Sequence, residues 1–179
     1  MATPDGPADD IFWPGGGLRV ELLSPTASTA LNEAVRMARE TRWDSLRSPH
    51  VFMGLLAQPD GCVCDWGTRL RADLPKLLGQ FQELFHQDDG DPEPVLHLNR
   101  EFLSDNVIRL LREAYGRSLE NRRPRVTPMD LLISLLSAHN SIVAECFERI
   151  GIPATTLTKL AVMAEQHADS GGGRGRRDG

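Results

Sequence analysis

The sequence predicts an all-α protein in which two tandem four-helix repeats pack as one eight-helix domain with pseudo-twofold symmetry. Three observations support this fold class. The chain matches itself at an offset of eighty residues, its apolar positions recur at the i, i+3, i+4 spacing of amphipathic helices, and no segment has a convincing strand pattern. An internal repeat determines the architecture, because stacked copies bury the apolar faces that neither copy can bury alone.

The self-match aligns residues 23–85, the first repeat, with residues 103–165, the second repeat, without a gap. Twelve of the 63 aligned positions are identical, and the apolar pattern agrees more closely still. The match is clearest in SPHVFMGLL (48–56) and PMDLLISLL (128–136), which both begin beside a proline and contain Leu-Leu near the end. Each of these segments is apolar nearly all round, which predicts a buried helix.

The first helix of each repeat follows a serine that can accept a hydrogen bond from the free N–H groups of the first turn. Ser24 precedes Pro25, whose missing N–H costs nothing at that position, and Ser104 is the equivalent serine in the second repeat. Apolar residues follow at i, i+3, i+4 and i+7, so one face of each helix should lie in the core. We expect Leu31 and Leu111, on these faces, to be deeply buried equivalents.

The second and third helices also supply core residues. Leu56 and Leu136 are predicted to be equivalent buried residues of the second helices. On the third helices the predicted core residues are Val63, Trp66 and Leu70 and their equivalents Val143, Cys146 and Ile150. The eight predicted helices span 25–41, 50–58, 62–71, 74–86, 104–119, 129–138, 142–150 and 154–167.

Three segments are too rich in charged residues, glycine or proline to bury apolar surface. They are interpreted as a disordered acidic tail over 1–17, an acidic linker over 86–97 and a disordered Gly/Arg tail over 168–179. The GGGRGRR sequence in the last segment could contact RNA, but three arginines are few, and a solvated tail or one that docks on an acidic partner is favoured. The folded domain is therefore expected to span 18–167.

Composition argues against several classes of protein. A net charge of −5 disfavours general nucleic-acid binding. No apolar run approaches the roughly 20 residues of a membrane-spanning helix. The N-terminal sequence MATPDGPADD lacks the basic and apolar regions of a signal peptide. We therefore expect a cytoplasmic protein that binds neither nucleic acid nor a membrane.

The cysteines and histidines give little indication of catalysis. Three cysteines form no disulfide framework. Cys62 and Cys64 could form a metal or redox pair, but no second ligand pair lies at zinc spacing, so ordinary helical cysteines are favoured. His50 could be catalytic in principle, yet no serine or cysteine partner is recognisable, which favours a structural histidine. We expect no enzymatic activity, no metal and no cofactor.

The order of helices and turns resembles the N-terminal repeat domain of the Clp ATPases, also called the Clp R domain. SPHVFMGLL and PMDLLISLL are similar to the T-E-H-L-L-L-G-L-L helix of that family, and His50 and Gly54 match it in the first repeat. Residues 150–152 match the family's L-G-V turn, while residues 70–72 depart from it. The resemblance covers about 18–167 and implies the same pseudo-twofold fold of eight helices.

The resemblance also implies a function. The chain has no G-x-x-x-x-G-K-[ST] motif to cradle a nucleotide phosphate, so it resembles a free-standing N-terminal domain. In the parent machines this domain docks adaptors and substrates. We therefore expect a non-enzymatic adaptor, accessory or regulatory protein that engages the Clp protease/chaperone machine or its clients. The alternative is a sequestering or sensing module for Clp-targeting cyclic peptides or other small ligands.

Some relatives recognise phosphorylated arginine at two symmetric pockets, each with a hydroxyl residue at the start of the first helix and a glutamate in the second. The resemblance places Ser24 and Ser104 at the hydroxyl positions, and Pro49 and Met129 at the glutamate positions. Neither side chain replaces a carboxylate that accepts charge-assisted hydrogen bonds, whose loss costs about 1.5–3 kcal/mol. These four residues are therefore interpreted as vestigial ligand pockets.

Overall fold

Residues 10–178 are described by a computed structural model of the chain, and side chains are described as far as residue 169. These residues form eight α-helices and no strand, which confirms the predicted fold class. The helices are α1 (Pro25–Glu40), α2 (Ser48–Ala57), α3 (Gly61–Leu70), α4 (Leu74–Phe85), α5 (Asp105–Glu120), α6 (Pro128–Ser137), α7 (Ile142–Glu148) and α8 (Ala154–Asp178). Short 3-10 turns, Val20–Leu22 and Arg100–Phe102, precede α1 and α5.

Equivalent residues begin and end the first helices of the two repeats. Ser24 and Ser104 each cap a helix by accepting a hydrogen bond from the backbone N–H three residues later. Arg42 and Arg122 follow α1 and α5 in the left-handed region, with φ of 67° and 58°. The pseudo-twofold relation therefore extends to the local backbone conformation at both helix ends.

Two short backbone pairings join the repeats. The backbone of Val126 exchanges hydrogen bonds of 2.7 and 2.9 Å with residues 22–24. The backbone of Leu46 exchanges bonds of 2.8 and 3.0 Å with residues 102–104. Leu46 and Val126 are equivalent in the alignment, as are the two segments that they pair with. Each first helix thus begins beside the residue that leads into the second helix of the other repeat.

Both repeats contribute to one core. Leu31, Leu111, Leu56 and Leu136 are all buried, as the sequence predicted. The largest aromatic cluster centres on Phe52, whose ring centroid lies 4.9–6.0 Å from those of the aromatic residues around it. These residues are Trp66 and Phe81 of the first repeat and Phe147 of the second. A core that crosses the repeat boundary supports the interpretation of the chain as one domain.

Gly54 allows α1 and α2 to approach closely. A Cβ atom at this position would lie 2.2 Å from the carbonyl oxygen of Ala30 and 2.7 Å from the backbone nitrogen of Ala34. Any side chain would therefore force the two backbones apart. The second repeat has Ser134 at the equivalent position, so this close contact is specific to the first repeat.

The acidic N-terminal segment enters the fold earlier than expected. Residues 1–9 lie outside the described part of the chain, but Ile11 and Phe12 are buried in the core. The N–H of Arg19 donates to the carbonyl of Ile11 at 2.8 Å, which folds this segment back on itself. The predicted boundary between tail and domain at residue 18 is therefore corrected, because two adjacent apolar side chains outweigh the acidic composition around them.

The other predicted boundaries also change. Residues of the expected linker 86–97 contact the domain, since the N–H of Gln87 donates to the carbonyl of Thr41 at 2.9 Å and Leu96 is buried. The last helix does not end at residue 167 but continues to Asp178, through most of the expected Gly/Arg tail.

Of the predicted core residues on the third helices, Ile150 is not in the core, and Cys146 and Leu70 lie only at its edge. Cys146 is only half-buried, and Ile150 is 70% exposed. Their equivalents on α3 differ, since Trp66 is fully buried and Leu70 is half-buried. The difference arises because α8 packs along α3, whereas no described helix packs in the same way on the equivalent face of α7.

None of the described helices combines the length and the apolar character that a membrane-spanning segment requires.

Replacing Leu31 or Leu111 by alanine should lower the free energy of unfolding by about 2–5 kcal/mol, through lost apolar transfer energy and a cavity. Because one core spans both repeats, unfolding should remain a single transition. Urea titration followed by circular dichroism and tryptophan fluorescence measures both quantities. Leu84→Ala, at a position 62% exposed, is the control and should change stability by less than about 0.5 kcal/mol. Separate transitions for the two repeats would contradict the shared core.

Candidate functional site

The four residues of the predicted pockets lie in two pairs at the junction of the repeats. A backbone hydrogen bond holds Ser24 beside the chain that leads into α6, which contains Met129. The equivalent bond holds Ser104 beside the chain that leads into α2, which contains Pro49. Each pair therefore combines the serine of one repeat with the second helix of the other.

The two pairs offer few groups to an anionic or cationic ligand. The hydroxyl oxygens of Ser24 and Ser104 already accept capping bonds of 3.1 and 3.2 Å. Pro49 and Met129 are buried, and neither side chain is a strong hydrogen-bond acceptor. The described geometry gives these serines a structural role as helix caps.

A groove with a volume of about 740 Å³ lies between the end of α6, α7 and the start of α8. Its lining residues are Leu136, Ser137, Ala138, Asn140, Ser141, Ile142, Ala144, Glu145, Glu148, Ala154, Thr155, Thr158 and Lys159. Sites of about 300–1,000 Å³ commonly hold small ligands or peptide segments. The sequence does not indicate this groove, because its residues come from three separate helix ends and form no motif.

The walls of the groove carry opposite charges. Glu145 and Glu148 project from α7, and both residues are exposed. The opposite wall contains Lys159 and the first turn of α8, where the helix dipole adds partial positive charge. Between them, the lining includes buried apolar residues such as Leu136. This arrangement can hold a segment that has an apolar face and polar groups of both signs.

A buried charged cluster joins α5, α6 and α8 in the second repeat. Arg117 donates to Asp130 at 2.8 Å and to both oxygens of Glu165 at 2.7 and 2.8 Å. Arg123 also donates to Asp130, whose side chain is fully buried. The second oxygen of Asp130 accepts the backbone N–H of Thr127 at 2.9 Å and so caps α6. Both carboxylates are thus paired, as buried charges require.

Pairing shifts the pKa values of Arg117 and Glu165 so that each charged form is favoured. Burial acts to raise the pKa of Glu165, but hydrogen bonds and charge from Arg117, with the charge of Arg123, hold that pKa below its ordinary value. The hydrogen bonds that Arg117 donates to Glu165 are the main cause that raises the pKa of Arg117. Glu165 and Arg117 therefore remain charged at neutral pH, and their ion pair links α8 to α5.

The first repeat has uncharged groups at the four equivalent positions. The equivalents of Arg117, Arg123, Asp130 and Glu165 are Met37, Trp43, His50 and Phe85. The indole N–H of Trp43 donates to the carbonyl of Phe85 at 2.5 Å, and its ring lies 5.4 Å from that of His50, edge to face. The alignment of the two repeats contains these four replacements, but identical positions do not reveal them, so the charged cluster was not predicted from the sequence.

His50 is held as a neutral ring inside the first repeat. Its Nδ1 accepts the N–H of Arg47 at 2.9 Å, so the proton is assigned to Nε2, which lies 3.2 Å from the hydroxyl of Thr41. Burial, and to a smaller extent the charge of Arg47, lowers the pKa of His50 to about 3. The ring replaces the capping carboxylate of the second repeat and has a structural role, as expected.

The cysteines are placed as ordinary helical residues. Burial raises the pKa of the Cys62 thiol to about 11, and the nearby carboxylates of Asp60 and Asp169 add to this effect. Cys64 is exposed on the same helix. No group of three or more His, Cys, Asp or Glu residues within the described chain is arranged to hold a metal ion.

Known structures share this architecture. The N-terminal domain of the ClpD chaperone from Arabidopsis thaliana matches with a TM-score of 0.64 and 17% identity, over 84% of this chain and 99% of that one. The Hsp104 N-terminal domain from Candida albicans matches with a TM-score of 0.64 and 15% identity, over 78% and 89%. A ClpV N-domain in complex with a VipB peptide gives 0.59 and 19%, over 81% and 88%.

No family model matches the sequence, and no curated protein matches it. The structural matches nevertheless cover most of this chain and nearly all of each N-terminal domain. The chain therefore has the fold of the Clp ATPase N-terminal domains, as the resemblance implied.

Stability should fall as the pH drops below about 6.5, partly because His50 must accept a proton. The unfolded histidine binds a proton near pH 6.5, but the folded residue does so only near pH 3, so its contribution is complete above pH 6.5 and is lost between these values. The shift corresponds to about 3–5 kcal/mol.

The variant His50→Asn isolates this effect, because an amide oxygen can still accept the N–H of Arg47 but does not titrate. Urea unfolding between pH 7 and pH 4 should give a smaller loss of stability for His50→Asn than for the wild type. His139→Asn, at an exposed turn position, is the control, because it removes a histidine that lies outside the core. Equal pH dependence of wild type and His50→Asn would contradict the assignment.

Proposed function

We propose that this chain is a protein-binding module without catalytic activity of its own. In this proposal it acts as an adaptor, accessory or regulatory protein for a Clp protease/chaperone machine or for the clients of that machine. The observation that carries the proposal is the fold, which the chain has in common with N-terminal domains of Clp ATPases. One of those domains, from ClpV, forms a complex with a VipB peptide.

The groove between α6, α7 and α8 supports this function. It combines a buried apolar lining with carboxylates on one side and a lysine on the other. Protein-binding sites of this kind exclude water at the centre and use the charged rim for orientation and association rate. The proposed partner segment therefore contacts the groove.

A second candidate function is favoured by the volume of the same groove. About 740 Å³ is enough to hold a small cyclic peptide or another small ligand. In that case the chain would sequester or sense Clp-targeting compounds, and the Clp machine itself would not bind it.

The test is a titration of the purified full chain with the Clp ATPase of the same organism, in which biolayer interferometry measures binding. We expect saturable binding that Glu148→Lys combined with Lys159→Glu weakens about tenfold, because both charged walls are reversed. The matched control is Lys76→Glu, at an exposed position of α4 outside the groove. Binding of a cyclic peptide without binding of the ATPase would favour the second function, and binding of neither would overturn both.

The pockets around Ser24, Pro49, Ser104 and Met129 lead to a separate proposal, that this chain does not recognise phosphoarginine. Both positions that the resemblance assigns to a carboxylate hold apolar side chains, so affinity should fall at least about tenfold at each pocket. Isothermal titration calorimetry with free phosphoarginine should detect no binding in the low micromolar range. Binding in that range, abolished by Ser24→Ala with Ser104→Ala, would contradict the proposal.

A further inference from the structure

The equivalent helices α3 and α7 have different surroundings. On α3, the indole N–H of Trp66 donates to the carbonyl of Leu157 in α8 at 3.1 Å. Asp65, the preceding residue, lies 3.3 Å from the ring of His167, further along α8. One face of α3 is therefore covered by a helix of the other repeat, and the two helices are joined by a hydrogen bond at Trp66 and a contact between Asp65 and a basic side chain.

The equivalent face of α7 lacks such a cover among the described residues. The equivalents of Cys62, Asp65, Trp66, Arg69 and Leu70 are Ile142, Glu145, Cys146, Arg149 and Ile150. Ile142 is 43% exposed and Ile150 is 70% exposed, one at each end of the face. These five residues of the second repeat are called the α7 face below.

The same ion pair occurs on the third helix of each repeat, and the exposed fractions of its side chains show how differently the two helices are covered. Arg69 lies 3.3 Å from Asp65, and their side chains are 26% and 27% exposed. Arg149 lies 3.5 Å from Glu145, and these side chains are 76% and 63% exposed. The same i, i+4 pair is therefore largely shielded on α3 and largely open on α7.

The asymmetry is accompanied by a difference in the lengths of α4 and α8. These helices are equivalent in the alignment, but α4 ends at Phe85 and the chain then turns away, with Gln87 bound to the backbone of Thr41. α8 continues past the equivalent residue, Glu165, and reaches α3 through His167. The first repeat provides no helix to cover α7 in return.

We propose that the α7 face is a docking surface for an α-helix of a partner protein, which lies along α7 as α8 lies along α3. The inference rests on the proposed function and names the chemistry of the partner. The partner helix carries an apolar seam flanked by a cationic residue. The seam covers Ile142 and Ile150, and the cation pairs with Glu145.

The chain itself supplies the template for this chemistry. His167 contacts Asp65 on α3, so a basic side chain is the complementary group for Glu145 on α7. Cys146 replaces the much larger Trp66, so a bulky apolar side chain on this face would have to come from the partner. An amphipathic helix with anchors at i, i+3 or i+4 meets both requirements.

The size of α7 argues against a second copy as the occupant. The helix has seven residues, which span about 10 Å. Two copies of α7 in contact would bury far less than the roughly 1,200 Å² that stable protein interfaces bury. A longer partner helix can extend beyond α7 into the neighbouring groove, which includes Ile142 and Glu145 in its lining.

The probe for this surface is a synthetic four-turn helical peptide with a leucine seam flanked by lysines, titrated into the isotope-labelled full chain and followed by NMR. We expect chemical-shift changes centred on residues 142–150. Ile142→Ser and Glu145→Lys should each weaken binding about three- to tenfold. A matched peptide with glutamates in place of the lysines should bind Glu145→Lys more tightly than it binds the wild type.

The control variant is Leu84→Ser, which removes a similarly exposed apolar side chain from α4 and should not change the affinity. Ile142 and Glu145 are exposed, and circular dichroism checks that their variants fold. Shift changes that map elsewhere, or an affinity that Glu145→Lys does not change, would overturn the inference. A concentration-dependent dimer that Ile142→Ser dissociates would overturn it in favour of a second copy.

The same variants separate this inference from the proposed function. If the chain binds the Clp ATPase and Ile142→Ser with Glu145→Lys leaves that affinity unchanged, the α7 face is not the docking surface and the proposed function still stands. If the ATPase does not bind but the lysine peptide binds at 142–150 with the expected charge dependence, the docking surface stands and the Clp partner is wrong.

Discussion

The two backbone pairings at the junction of the repeats are the constraint on which the rest of the structure depends. Leu46 pairs with residues 102–104 and Val126 with residues 22–24, each through two hydrogen bonds. These contacts place the start of each first helix against the other repeat, so the apolar faces of all first and second helices converge on one core. The pseudo-twofold relation is thus built into the backbone, and side chains can diverge between the repeats without changing the architecture.

The charged cluster of the second repeat and the aromatic cluster of the first lie at equivalent positions. Because the two clusters differ, they determine which of the equivalent helices α4 and α8 packs at each site. Glu165 of α8 meets Arg117, whereas Phe85 of α4 lies beside Trp43. If α4 and α8 exchanged places, Glu165 would enter an aromatic environment without a counter-ion, and Arg117 would lose its carboxylate. Burying an unpaired charge costs several kcal/mol, so the difference between the clusters disfavours the exchanged fold.

Local patterns in the sequence were sufficient to predict the helices and the main core, but not the packing between distant elements. Leu31 and Leu111 were predicted correctly because helical periodicity fixes which face is apolar. Ile150 was wrongly placed in the core because its burial depends on whether a helix distant in the sequence packs over it. Ile11 and Phe12 were missed because two apolar residues in an acidic segment form no periodic pattern. The groove was missed because it combines the ends of three helices.

In the proposed docking mode, the departure from symmetry also determines how many partner helices the domain can bind. A strictly twofold domain would present two equal faces on its third helices and would bind two partner helices with equal affinity. Here α8 already covers α3, and its position is fixed by the bond between Trp66 and Leu157 and by the salt bridges of Glu165. A ligand that competes for α3 would have to displace these contacts, whereas no helix of the described part of the chain covers the equivalent surface on α7 in this way. Under the proposed docking mode the duplicated fold therefore offers one surface to a partner, and α8, which covers the equivalent surface on α3, also forms one wall of the groove beside α7.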